Sequence, residues 1–291
     1  MALLRQCWTM GKDTVVAFVD DGALSRGASI AFYTVISIAP VLFIVIAIAG
    51  LVFGDDAAQG AIVHQLSGLM GRESAELLQN AIKSASGTRS SVIATIIGVV
   101  VLLVAASGMF GEIQTALNAI WKAQPQGTTV SRLIRSRVVS LGLVVALGFL
   151  LLLSLATSTV LAALRGYADE FLPFSTQILE VVNFFISFAL VAGLFAAIYK
   201  MLPDCDLDWH DAAVGALVTA LLFTIGKYMI GLYVGSSVVA SAYGAAGALI
   251  VILLWIYYSA QIFLLGAEFT KVYADYRGRR KARARNPAEV A

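Results

Sequence analysis

Lys227 is the only charged side chain well inside an apolar run of this chain. An ammonium in that setting either binds an anion or bonds to nearby carbonyls and hydroxyls. Ala216, Ala220, Thr224, Lys227, Gly231 and Gly235 recur at steps of three and four, so they share one helix face. Small residues mark faces that pack against other helices. The pattern therefore predicts that Lys227 points into a bundle, with Tyr228 beside it and Gly231 and Gly235 as packing positions. Snorkelling is the competing reading, because Lys227 lies about 10 Å from the outer end of its run. Other polar residues are spaced to act together. Tyr257, Gln261 and Glu268 form one stripe, and Glu112, Gln114, Thr115 and Asn118 form a second. Ser29, Tyr33 and Ser37, closed by Pro40, form a third. These stripes either line a polar cavity open to the cytoplasm or bond helix to helix, and the residues favour the two equally. A substrate pathway would draw on Lys227, Tyr228, Tyr257, Gln261, Glu268, Tyr33, Ser37 and Glu112. Lys227 and Glu268 sit at different depths, so no ion pair between them is expected.

Two other groupings invite chemistry. Between Pro203 and Asp211 lie four aspartates with Cys205 and His210. Metal ligation is one reading. Helix capping is the better one, with Asp208 as N-cap, Asp211 in the first turn and Trp209 at the interface. No metal and no cofactor is expected. The two histidines, His64 and His210, fall on opposite sides of a membrane in the topology below. Hydrolysis of RNA usually needs clustered histidines and carboxylates around metal ions, so no enzymatic activity and no nucleic-acid partner is expected.

The elements that must position these groups follow from composition. Of 291 residues, 59% are hydrophobic and 13% charged, against about 25% charged in a soluble domain. That is too little polar material to cover a soluble globule. A crossing helix needs about 20 apolar residues. Six stretches qualify, at 30–53, 92–111, 138–164, 178–202, 212–234 and 245–267. The expected fold is all-α, a polytopic helical bundle with six transmembrane helices. Residues 1–276 form a single membrane domain and 277–291 a basic cytoplasmic tail. With the N-terminus inside, the inner segments hold Arg5, Lys12, Arg26, Lys122, Arg132, Arg135, Arg137 and seven more cations from Lys271 onward. The outer segments hold only Arg72, Lys83, Arg89 and Arg165. This asymmetry predicts that both termini are cytoplasmic. Cys7 and Cys205 then face the reducing side.

Residues 14–27 read as a short helix in the inner interface, and 54–91 as one or two amphipathic helices between spans 1 and 2. Those outer helices form either a packed cap or a moving lid. The run from Arg277 to Arg285 reads as a disordered anchor held by anionic lipid headgroups. The hairpin at 235–247, with Gly244 and Gly247, is uncharged and rich in small residues. It is the best candidate for irregular backbone beside a pathway.

At that hairpin the chain resembles the YihY/BrkB family. The stretches that carry the resemblance are Gly215-Ala-Leu-Val-Thr-Ala-Leu-Leu-Phe-Thr-Ile-Gly-Lys227, Ala240-Ser-Ala-Tyr-Gly-Ala-Ala-Gly247, Leu254-Trp-Ile-Tyr-Tyr-Ser-Ala-Gln261 and Gly266-Ala-Glu-Phe-Thr270. Ala31-Phe-Tyr-Thr-Val-Ile-Ser-Ile-Ala-Pro40, Gly108-Met-Phe-Gly111, Asn118-Ala-Ile-Trp121 and Arg135-Ser-Arg137 extend it to almost the whole chain. The resemblance implies a multi-pass protein of the bacterial inner membrane with six spans. Members carry links to virulence, an inherited "ribonuclease BN" label and ties to lipid or lipopolysaccharide export, but no catalytic residues that transfer to this chain. Two functions follow as expectations. One is a transporter or flippase of a lipid-like or anionic amphipathic substrate. The other is a non-transporting scaffold that maintains the envelope. Membrane lipids are the expected partners, and a homo-oligomer is compatible with either function.

Overall fold

The computed structural model describes residues 2–54, 108–123, 175–236 and 245–285, with positions 60, 63, 67, 75–80 and 142 besides. These residues are helical, joined by short turns, and no strand occurs among them. The long helices are α1 (Ala2–Asp20), α2 (Ala23–Phe53), α3 (Ser175–Met201), α4 (Trp209–Ser236) and α5 (Ala245–Arg285). Shorter helical stretches cover 75–80 and 108–120. Three of the described helices are long and apolar enough to cross a membrane, over Val181–Met201, Trp209–Met229 and Leu249–Gly278. The spans expected at 92–111 and 138–164 lie almost wholly outside the described residues. So do most of 54–91, the hairpin residues 237–244 with Gly244, and the tail at 286–291.

Helices α3, α4 and α5 pack as one unit because two glycines allow two threonines to cross between α4 and α5. A Cβ on Gly215 would overlap the Thr270 hydroxyl, and a Cβ on Gly266 would overlap that of Thr219. Each threonine hydroxyl also bonds a carbonyl four residues back on its own helix, Thr219 to Gly215 at 2.7 Å and Thr270 to Gly266 at 2.6 Å. Such back-bonding satisfies a buried hydroxyl without a partner helix. Tyr199 of α3 closes the junction. Its side chain is fully buried. Its hydroxyl donates to the Phe263 carbonyl at 2.7 Å and lies 3.0 Å from the Thr219 hydroxyl. Ile198, Leu202, Ala212, Ala216, Leu264 and Ala267 continue this core, joined by Leu117 and Ile120 from the stretch 108–120.

Helix α2 lies along α5. Ala31 is buried with Ile252 and Ile256, and Leu78 of the stretch 75–80 covers them. That turn of the connection 54–91 is therefore packed onto the bundle. As the expected span 30–53 requires, α2 runs through Pro40 to Phe53.

The end where α1 meets the C-terminal half of α5 differs from expectation in two ways. The expected interfacial helix at 14–27 is instead α1, which runs back to Ala2 and stops at Asp20. Gly22, at φ +67°, makes the break. The Asp21 and Gly22 amides bond back to Ala17 and Val19, a left-handed closure suited to glycine. The second difference is α5, which is 41 residues long and about 60 Å from end to end. The basic run expected to be disordered is the last part of this helix, through Arg285.

The Gly266 contact predicts a stability difference. Gly266→Ala forces a methyl into the Thr219 hydroxyl and should lower stability by about 1–3 kcal/mol, the usual cost of overpacking. Gly11→Ala, in exposed α1 with nothing within 4 Å of the added methyl, should leave stability unchanged or raise it by up to about 1 kcal/mol. Thermal unfolding of the two variants in one detergent checks both outcomes.

Candidate functional site

Two polar places stand out, at different depths along α5. The first surrounds Lys227. Its side chain is exposed rather than turned into the bundle. Gly226 is the residue that faces α5 at this level, where a Cβ would overlap Ile262 and Tyr258. Ala216 and Ala220 are buried, as expected, but Lys227, further along the same face, is exposed. There it lies with Phe223, Trp255, Tyr258, Ser259 and Ile262 around a tight cleft that has no room for a water molecule. Its ammonium is 5.4 Å from the Tyr228 ring centroid, within cation–π range. No carboxylate pairs with it among the described residues. Leu217, Leu221, Ile225 and Met229 form an exposed apolar stripe on the same helix. A chain of aromatic contacts joins the cleft to the core, from Trp255 to Phe223, Phe195 and Tyr199.

The second place is in the C-terminal half of α5, where the α1–α2 turn packs. Glu268 is fully buried there, and neither carboxyl oxygen has a hydrogen-bond partner. Asp21, Lys271 and Lys122 are the charged groups acting on it. Lys271 pairs with Asp21 at 3.1 Å. The Arg26 Nε donates to the Asp21 carbonyl at 2.9 Å, which caps α1. Lys122, at φ +50°, ends the stretch 108–120 in a left-handed closure, its amide bonded to Ala119 and that of Ala123 to Asn118. One turn further along α5, the Tyr276 hydroxyl donates to Asp13 at 2.8 Å.

The stripe Tyr257, Gln261 and Glu268 does come together on the face of α5 that meets α2. Gln261 presses on Gly27, and its amide reaches the Leu24 carbonyl at 3.3 Å. The Gln261 Oε1 is buried without a partner, as is the Trp121 indole nitrogen. Tyr257 packs beside Ile252 and Ile256. Ser37 is buried, Tyr33 is exposed near Gly108, and Glu112 is half-buried in 108–120. Gly231 and Gly235 lie in the last turns of α4, and Gly247 is buried in the first turn of α5. Lys227 is not near Glu268. The Gly226–Tyr258 and Gly215–Thr270 contacts set an antiparallel register that separates them by about 15 Å along the helices.

The aspartate loop has specific partners. Asp204 accepts from Asn118 at 2.9 Å and from Gln114 at 3.4 Å, and its amide returns a bond to Asn118 at 2.8 Å. Asp211, in the first turn of α4, is bound by Arg277, which also reaches Asp208 at 3.4 Å. The first turn of a helix favours negative charge. Sequence reasoning grouped Arg277 and Lys271 with the basic tail, and read Asp21 only as a charge in an interfacial helix. The signals that could have placed them are the Asp21-Gly22 pair, a helix stop, and Glu268 with Lys271 at helical spacing.

A protein-family model described as Virulence factor BrkB matches residues 14–290. A UPF0761 membrane protein of Pasteurella multocida is 35% identical over 182 residues, 62% of this chain and 54% of that one. One of Glaesserella parasuis is 32% identical over 182 residues, 62% of each chain. One of Rhodospirillum centenum is 26% identical over 271 residues, 91% of this chain and 57% of that one. The chain thus spans little more than half the length of these curated relatives. No solved structure matches it.

The loop geometry predicts how Cys205 reacts. Burial first, then the Asp206 charge, push its thiol up from the ordinary range, with Asp204 adding and Lys200 opposing. Less thiolate means slower alkylation. Asp204→Ala removes one of those charges and frees the loop from Asn118. In a Cys7→Ser background, maleimide labelling of Cys205 at neutral pH should then speed up, because more of the thiol is thiolate and the loop is freer. An unchanged rate would mean that Asp204 does not hold the loop closed.

Proposed function

We propose that this chain, which belongs to the Virulence factor BrkB family of membrane proteins, moves a lipid-like or anionic amphipathic substrate across the bacterial inner membrane. It does so as a multi-pass protein with six spans and both termini in the cytoplasm, and without enzymatic chemistry. The observation that carries the reading is Lys227, an exposed cation without a carboxylate partner among the described residues. It stands between an aromatic cleft and an apolar, lipid-facing stripe. A lone ammonium beside hydrocarbon is costly unless it snorkels to the interface or an anion meets it. A phosphate headgroup on Lys227, with its chain along the exposed stripe of Leu217, Leu221 and Ile225, would match the charge and the hydrocarbon together.

The topology has separate support. The asymmetry of Lys and Arg favours an inner N-terminus. The contacts of Asp13 with Tyr276 and of Asp21 with Lys271 hold α1 and the end of α5 on one side, which suits an even number of crossings. Exposed Val181, Val182, Phe184 and Phe185 on α3 suit contact with lipid. Membrane lipids are the proposed partners, with anionic headgroups at the basic end of α5, and a homo-oligomer fits the exposed apolar faces. No metal, cofactor or nucleic acid enters the proposal.

Translocation of an anionic phospholipid in proteoliposomes tests it. Wild type should move the labelled lipid. Lys227→Ala, with unchanged elution and thermal stability, should do so about tenfold more slowly or worse, the loss expected for one charge-assisted contact to phosphate. Equal rates would remove Lys227 from the pathway. No movement by folded wild type would favour the non-transporting scaffold, and cross-linking should then find a stoichiometric partner.

A further inference from the structure

The buried acid in the C-terminal half of α5 lacks what a buried charge requires. An ionised carboxylate removed from water without hydrogen bonds costs several kcal/mol, and such groups take up a proton instead. Glu268 is fully buried, and neither oxygen meets a donor. Asp21 reaches the same place from the α1–α2 turn, held by Lys271, which lies one helical turn beyond Glu268 on α5. Two carboxylates are both acceptors, so they can bond each other only when one carries a proton. Lys271 is already held by Asp21 at 3.1 Å. Among the described residues no third acidic, histidine or cysteine side chain joins the pair to hold a metal ion.

We propose that Glu268 and Asp21 form a proton-binding site, in which one proton lies between the two carboxyls and Lys271 balances the remaining charge. The charged groups around it come from each element at that end. Asp21 and Arg26 belong to the α1–α2 corner, Lys271 to α5 and Lys122 to the end of the stretch 108–120. With the proton bound, the group is neutral overall and Lys271 stays on Asp21. With the proton gone, two carboxylates compete for one ammonium. Lys271 follows Glu268 by three residues on the same helix, so it can reach that acid as well. Proton occupancy thereby sets whether the corner is latched to α5, with Gly22 at φ +67° as the pivot. The site needs no lipid at Lys227, so it stands apart from the transport reading.

Infrared spectroscopy of the purified protein in nanodiscs tests the proposal directly, because a protonated carboxylic acid has a carbonyl stretch that a carboxylate lacks. Wild type should show this band at neutral pH and lose it as pH rises. Glu268→Gln should abolish it. Two milder variants separate proton binding from mere structure. Asp21→Asn removes the facing negative charge and should move the titration midpoint to lower pH, by about 1 or more. Lys271→Gln removes the balancing cation and should move it to higher pH by a similar amount. Movement in opposite directions supports the site even if Glu268→Gln fails to fold. Wild type without an acid band at neutral pH would overturn the proposal. So would a band that survives Glu268→Gln, or movement in the same direction in the two milder variants.

Discussion

The close approach of α4 and α5 is the constraint on which the rest of the molecule depends. Apolar side chains give membrane helices no net hydrophobic drive to associate, since lipid is as apolar as the core. Association must come from packing and from polar contacts. Here Gly215 receives Thr270, and Gly266 receives Thr219, so backbones meet where side chains would otherwise hold them apart. Tyr199 fastens α3 to the same point through the Phe263 carbonyl. That junction fixes the register of α4 on α5. The register in turn sets Lys227 level with Tyr258 and brings the end of α5 to the Asp208–Asp211 turn.

The C-terminal half of α5 is held by other means. Beyond the tight crossing, α5 continues past the thickness of a hydrocarbon core, about 30 Å, and water can reach its last turns. Ion pairs and polar bonds take over from glycine contacts there. Arg277 binds the first turn of α4, Tyr276 binds Asp13, and Lys271 binds Asp21. The first of these places a cation where a helix N-terminus gathers aspartates, so each charge offsets the other. Asp204 holds the neighbouring loop against Asn118. The acidic loop thus works as a set of attachment points for two separate elements, the stretch 108–120 and α5.

Much of this was legible in the residues. Continuous apolar runs place α3 at 175–201 against an expected 178–202, and place the start of α5 and the end of α2 at the expected positions. Asp211 sits in a first turn because short acids favour one. Side-chain direction was harder to read. Alanine, glycine and threonine are so frequent in α4 that adjacent faces carry nearly the same composition. The face built on Ala216 and Ala220 and the one built on Gly215 and Thr219 are both buried near the start of α4, and only further along do they part, with Gly226 buried against Tyr258 and Lys227 exposed. The length of α5 was hidden for a related reason. Arg277 to Arg285 is rich in good helix formers, yet its charge density reads as a solvated tail when no partner such as Asp211 is in view.

The two kinds of contact differ in how they can change. Gly215–Thr270 and Gly266–Thr219 are steric and short in range. They have no titrating group, and any slippage forces methyl or hydroxyl groups into backbone. The α1–α2 corner is held by exchangeable bonds, Lys271 to Asp21 and Arg26 to the Asp21 carbonyl, around a glycine pivot. Ion pairs of this kind have alternatives within reach, while interlocked helices do not. If any element shifts during a transport cycle, α3, α4 and α5 form the fixed frame and the corner is the part that yields. Glu268 belongs to the frame and Asp21 to the corner. The buried acid therefore lies at a contact where the protonation of a single side chain can change how the two parts meet.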